Sequence, residues 1–158
     1  MKVILVSGGN KGIGLAIVSR LLSEFPDTHL LLGSRDKQRG EAAVHELVTQ
    51  LGQNISSRVE MILLDVGNEE SVSTAVETIK SKFGSLYGLV NNAGGWLSTE
   101  KDTVQLNAYS VVRMCEAFVP LIQDNGKSLI SQFFAAYSII MFRENCTDIL
   151  FRGSQLRQ

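Results

Sequence analysis

Cysteine, proline, histidine and tryptophan are all scarce in this chain, and net charge is nearly absent. The two cysteines, Cys115 and Cys146, form no C-x-x-C pair. That spacing suggests no disulfide framework and makes a reducing, cytoplasmic setting the expectation. The two histidines, His29 and His45, lie near neither cysteine at metal-ligand spacing. No metal site is therefore assigned, and both are read as solvated or structurally satisfied. A formal charge of −1, from 15 basic and 16 acidic residues, offers no electrostatic case for nucleic acid or an anionic membrane. Long apolar runs are missing too. "MKVILVSGG" is too short for the hydrophobic region of a signal peptide and suits a buried strand. "LISQFFAAYSIIMF" is broken by polar residues and falls short of the ~18–20 residues of a spanning helix. What remains is an ordinary soluble composition, 44% hydrophobic and 20% charged, in 158 residues, enough for one domain with its own core.

Short β-branched runs alternate with longer amphipathic ones. "KVILVS" (2–7), "THLLLGS" (28–34), "RVEMILLDV" (58–66) and "LYGLVNNAG" read as strands, with "KSLIS" a candidate fifth after a turn at "DNG". Between them, 12–25 reads as a helix whose apolar face is Ile13, Ala16, Ile17, Leu21 and Phe25, ended by Pro26-Asp27. A second helix, 36–51, has Asp36 to cap it and Gly52 to close it. A third starts at Asn68, with Glu69 and Glu70 in its first turn, and runs to Gly84. Residues 103–123 read as one long helix that Pro120 bends or ends. This alternation predicts an α/β fold, a Rossmann-like doubly wound parallel sheet, incomplete at its C-terminal side. Residues 1–126 are expected to form a dinucleotide-binding domain and 127–158 a divergent tail, rich in apolar residues without a clear period. Pairing of that tail along the open sheet edge is one expectation; a loosely held, aggregation-prone segment is the other.

The chemistry concentrates in the turn after the first strand. Gly8, Gly9, Gly12 and Gly14 give G-x-x-x-G-x-G directly between a strand and a helix. Glycines there allow a sharp turn and close approach of an anion, and the helix start offers unpaired N–H groups to phosphates. "SGGNKGIG" (7–14), "LLDV" (63–66), "NNAG" (91–94) and Asn107 follow in order. With these motifs the chain resembles the short-chain dehydrogenases/reductases, and most closely the NADPH-dependent carbonyl reductase branch, over residues 1 to about 126. The resemblance implies that Gly8, Asn10, Lys11, Gly12, Ile13 and Gly14 line the pyrophosphate and ribose. It implies Asp65 and Val66 at the adenine, and Asn92, Ala93 and Gly94 beside the ribose and nicotinamide. Asp65 has an alternative as a partner of local backbone, and Asn91 as a brace of the sheet.

Cofactor choice follows from charge. An acid ending the second strand favours the NAD ribose, whereas an arginine favours a 2′-phosphate. Here Ser34 and Arg35 stand at that place, Lys11 can reach it, and Asp36 is better spent as a helix cap. The expected cofactor is NADP(H). The acid ending the second strand is also usual in methyltransferases, a rival class that Arg35 disfavours.

Catalysis in the resembled family uses a tyrosine with a lysine four residues on. Four residues after Tyr87, Tyr109 and Tyr137 stand Asn91, Arg113 and Met141, so no catalytic residue is assigned. Tyr109 and Arg113 are read as facing the helix surface or a partner. Ser131 is out of step with the family's strand serine, and the segment from Gly94 to Asn107 is shorter than usual. The resulting expectation is an NADP(H)-binding, carbonyl reductase-like protein that is inactive alone. Two alternatives stay open: an active reductase with an atypical or partner-completed site, and a regulatory isoform that dimerises with itself or with a full-length relative.

Overall fold

The computed structural model describes residues 1–95, 98–134 and 137–143. Its centre is a six-stranded sheet in the order β3-β2-β1-β4-β5-β6. The strands are β1 (Lys2–Ser7), β2 (Thr28–Ser34), β3 (Val59–Leu63), β4 (Leu86–Asn91), β5 (Ile122–Phe134) and β6 (Tyr137–Arg143). The first five run parallel, as expected, and β6 closes the edge antiparallel to β5, Ser128 pairing with Arg143 and Phe134 with Tyr137. Part of the tail thus pairs along the sheet edge, and β5 itself runs on past residue 126. Cys146 lies outside the described residues.

Helices α1 (Gly12–Glu24), α2 (Lys37–Leu51) and α3 (Glu69–Phe83) connect the first four strands. Their ends match the residues that signal them. Asp36 accepts from the Arg39 amide at 3.0 Å, and Asn68 accepts from the Ser71 amide at 2.9 Å. Gly52 and Gly84 close α2 and α3 at φ of 97° and 77°, which side chains rarely adopt. α1 ends differently. Arg58, just ahead of β3, donates to the carbonyls of Leu22 and Phe25 at 3.0 and 3.2 Å, supplying donors to a helix end that lacks them.

Two apolar layers sandwich the sheet. Val18 and Leu22 of α1 and Ala43 and Leu47 of α2 pack with Ile4, Val6, Leu30 and Leu32 on one side. Val72, Ala75 and Ile79 of α3 pack on the other with Leu5, Leu31, Leu89, Met114 and Phe118. The buried face of α1 is Gly14, Val18 and Leu22, while Ile13 and Phe25 are about half exposed. The expected face is corrected in part: Ile17 and Leu21 are partly buried against the same core, but the centre of the face shifts to the line through Gly14, where the close seat sets it.

The long helix expected over 103–123 is also corrected. It is built of α4 (Glu100–Val104), a π-helical turn (Gln105–Tyr109) and α5 (Ser110–Phe118), followed by a 3-10 turn holding Pro120. β5 then begins at Ile122, ahead of the "DNG" expected to be a turn. The stretch is absorbed as an irregularity, with Leu86 paired to Ile122 but Gly88 to Lys127. Gly126 makes this possible, since a Cβ there would lie 2.3 Å from Ile122 Cγ2 and 2.7 Å from the Tyr87 carbonyl.

His29 is structurally satisfied. Its Nε2 stands 2.9 Å from Glu60 Oε1, and Glu60 also pairs with Lys82. Burial alone would raise the Glu60 carboxyl, but hydrogen bonds from Lys82 and His29 outweigh it and hold the group below its ordinary 4.5. A depressed carboxylate contributes stability above its ordinary value and loses it as pH falls through the folded-state value. Glu60→Gln is therefore expected to destabilise by about 1 kcal/mol near neutral pH, with the gap to wild type closing in acid. Urea melts across the acid range check this; a gap independent of pH would mean that Glu60 acts through packing alone.

Candidate nucleotide-binding site

The chain leaves β1 for β2 in one direction and later crosses to β4 in the other, so a crevice opens between the C-terminal ends of β1 and β4. Ser7, 1% exposed, organises its floor. Its Oγ accepts from the amides of Asn92 and Ala93, both at 3.0 Å, and donates to the Val90 carbonyl at 3.3 Å. The Asn92 amide group donates in return to the carbonyls of Ser7 and Gly8, at 3.1 and 3.2 Å. The glycine turn and the end of β4 are thereby laced together.

Above this floor lies a cleft of about 470 Å³. Gly8, Asn10, Lys11, Gly12 and Ile13 line it from the turn, Arg35 from the end of β2, Asp65 and Val66 from the end of β3, and Asn92, Ala93 and Gly94 from the end of β4. Stretches far apart in sequence meet here because every one follows the C-terminal end of a parallel strand. Two expected residues stand elsewhere. Ser34 is 2% exposed, and its Oγ donates to the Asp36 carbonyl and accepts from the Asp36 amide, so it shapes the bend into α2. Gly14 lies behind the turn, where a Cβ would sit 2.3 Å from the Gly8 carbonyl oxygen.

Leu64, Gly95 and Leu106 also line the cleft, unforeseen from the sequence. Gly95 had a signal in Asn107. The Asn107 side chain, 4% exposed, accepts from the Gly95 amide at 3.0 Å and donates to the Gly95 carbonyl at 2.9 Å. Leu64 and Leu106 carry no polar signature. Of the two asparagines of "NNAG", Asn92 lines the cleft and its amide also ties the turn to β4, while Asn91 is structural, donating to Cys115 Sγ at 3.4 Å on the α5 side rather than bracing the sheet. Asp65 lines the cleft, and its reading as a partner of local backbone holds: its Oδ1 accepts from the Gly67 amide at 2.9 Å. Arg113 corrects its surface reading. It donates to the Val66 carbonyl at 2.8 Å, while Tyr109 is 59% exposed.

These features fit a dinucleotide. Gly8 and Gly12 hold φ of 66° and 55°, and α1 starts at the cleft with no side-chain cap on its first amides, a combination suited to phosphate. Lys11 and Arg35 add two cations to the same cleft. Asp36, the nearest acid after β2, is engaged as the cap of α2 and pairs with Arg39 at 3.4 Å.

A glycine turn between strand and helix at the switch point of a parallel sheet is the arrangement of the Rossmann-like folds. The family model for short chain dehydrogenase matches residues 2–132, and the chain belongs to that family. It is 34% identical to carbonyl reductase (NADPH) 1 of Pongo abelii over 136 residues, which cover 80% of this chain and 47% of that protein. Among solved structures it superposes on the menthone neomenthol reductase of Mentha piperita with a TM-score of 0.75 at 28% identity, covering 82% of this chain and 59% of that one. The L-sorbose reductase of Gluconobacter frateurii, solved with NADPH and L-sorbose, gives a TM-score of 0.67 at 29% identity, covering 83% and 51%. The chain spans about half the length of the curated relatives it matches.

Proposed function

We propose that the chain binds NADP(H) in this cleft and that these 158 residues alone do not reduce a carbonyl. The observation that carries the first half is the charge at the end of β2: Arg35 lines the cleft beside Lys11, and Asp36 is occupied as a helix cap. Arginine's planar fork suits the ribose 2′-phosphate, which an acid there would repel. Relatives whose names or ligands specify NADPH support the same choice. Gly8, Asn10 and Gly12 would hold the pyrophosphate with the first amides of α1, Asp65 and Val66 the adenine, and Ala93 and Gly94 the ribose and nicotinamide. When bound, the cofactor supplies the hydride for carbonyl reduction.

No tyrosine stands among the described residues that line the cleft. Proton transfer needs a group within hydrogen-bond reach of the substrate oxygen, and no tyrosine here has a lysine four residues on. Tyr87 sits beneath the Lys2 ammonium, 5.3 Å from ring centroid to Nζ, and Tyr109 does not line the cleft. Titration by NADPH fluorescence, with NADH as control, tests binding; NADPH oxidation with a panel of aldehydes and ketones tests turnover. Saturable binding without oxidation is the expected result. Steady oxidation by the purified chain would establish an atypical donor instead. A second reading, pairing with itself or with a longer relative, is favoured by Val104, Tyr109 and Val112, all exposed along one helical segment; light scattering of the purified chain tests it.

A further inference from the structure

We propose that Arg113 is a positioning residue for the adenine wall of the cleft: from α5 its guanidinium holds the Val66 carbonyl and so sets the Asp65–Val66 edge. The proposal rests on the nucleotide reading above. The segment after β3 is tied to its surroundings bond by bond. The Leu64 amide donates to the Ser34 carbonyl at 2.8 Å, the Asp65 amide to Ser71 Oγ at 2.9 Å, and the Asn68 amide to the Asp65 carbonyl at 3.1 Å. These bonds reach β2, α3 and the segment itself. Arg113 Nη1 to the Val66 carbonyl, at 2.8 Å, reaches across to α5.

Val66 is 6% exposed. Deprived of Arg113, its carbonyl either stays unpaired, which is costly, or turns its peptide toward water. Turning that peptide shifts Asp65 and Val66, both of which line the cleft. The same helical segment carries Asn107, whose amide grips Gly95 at the other wall. One segment thus fastens both ends of the site, through Asn107 on one side and Arg113 on the other. Lysine keeps a cationic donor at position 113 without the rigid fork; methionine keeps the length without a donor.

The test measures binding of NADPH and of 2′,5′-ADP, the adenine half alone, together with amide hydrogen exchange of the free chain. Arg113→Met is expected to weaken both ligands by the same factor, about tenfold, and to speed exchange at Gly67 and Asn68 but not at Gly95. Arg113→Lys, which also stands in should the methionine variant not fold, is expected to stay within about threefold of wild type. A variant that loses NADPH but not 2′,5′-ADP, or a lysine variant as weak as the methionine one, overturns the proposal. A wild-type chain that binds neither ligand overturns the nucleotide reading. Exchange at Gly67 and Asn68 then decides the loop role alone, and unchanged exchange there overturns it.

Discussion

Arg35→Ala is expected to weaken NADPH binding about 30-fold and to leave NADH binding within about twofold, because hydrogen bonds to a charged phosphate are each worth ~1.5–3 kcal/mol. Arg35 is exposed, follows the buried strand end of β2 and lines the cleft with Lys11. Among the described residues neither cation has an ion-pair partner that a phosphate would need to displace. Exposure also means screening: the discrimination should shrink as ionic strength rises from about 0.05 M to about 0.5 M. Paired fluorescence titrations at two salt concentrations read both effects. Equal losses for the two cofactors would assign Arg35 to the pyrophosphate or to general attraction, and the preference for NADP(H) would then rest on Lys11 alone. An unchanged NADPH affinity would remove Arg35 from the site.

Legibility from sequence followed the range of the forces involved. Where a local rule decides, residues announced the structure: Asp36 and Asn68 cap the helices they precede, and Gly52 and Gly84 take the positive φ that ends them. β1 and β2 stand at the residues expected, since each is a buried apolar run between turn-forming residues. Much of the cleft was legible for a topological reason: parallel strands bring their C-terminal ends to one rim, so three short motifs and Arg35 outline most of it. The misreadings share a different cause. The break in the long helix is a π-helical turn at Asn107, whose side chain satisfies Gly95 across the cleft, and no periodicity within 103–123 records a partner outside it. Ser34 is polar and adjacent to Arg35, yet the bend into α2 claims its hydroxyl. The face of α1 is shifted from the expected one, with Ile17 and Leu21 at its border, because adjacent apolar positions flank Val18 and Leu22 and the fit at Gly14 selects among them.

That fit carries the second large effect. A Cβ at position 14 would lie 2.3 Å from the Gly8 carbonyl oxygen, 2.5 Å from Asn92 Nδ2 and 2.9 Å from the Gly8 carbonyl carbon. Two of these atoms are backbone of the glycine turn, and the third holds that turn to β4 through its bonds to Ser7 and Gly8. No rotamer change relieves the clash. Either α1 withdraws from the turn, or Asn92 releases the two carbonyls it brackets. Gly14→Ala is therefore expected to destabilise by about 3 kcal/mol, at the upper end for overpacking, a fall of about 10 °C in Tm for a chain of this size. On the proposed nucleotide reading, NADPH affinity should fall as well, since the distorted elements are those assigned there to the phosphates. Gly12→Ala is the matched control: its φ is 55°, but a Cβ there meets nothing within 4 Å, so only backbone strain of ~1–2 kcal/mol is expected. Calorimetry of both variants separates the two glycine roles. Equal destabilisation would mean that backbone conformation governs the whole turn. A stable Gly14→Ala would mean that the turn, α1 and Asn92 are not interlocked, and the proposed phosphate cradle would then need another foundation than close packing.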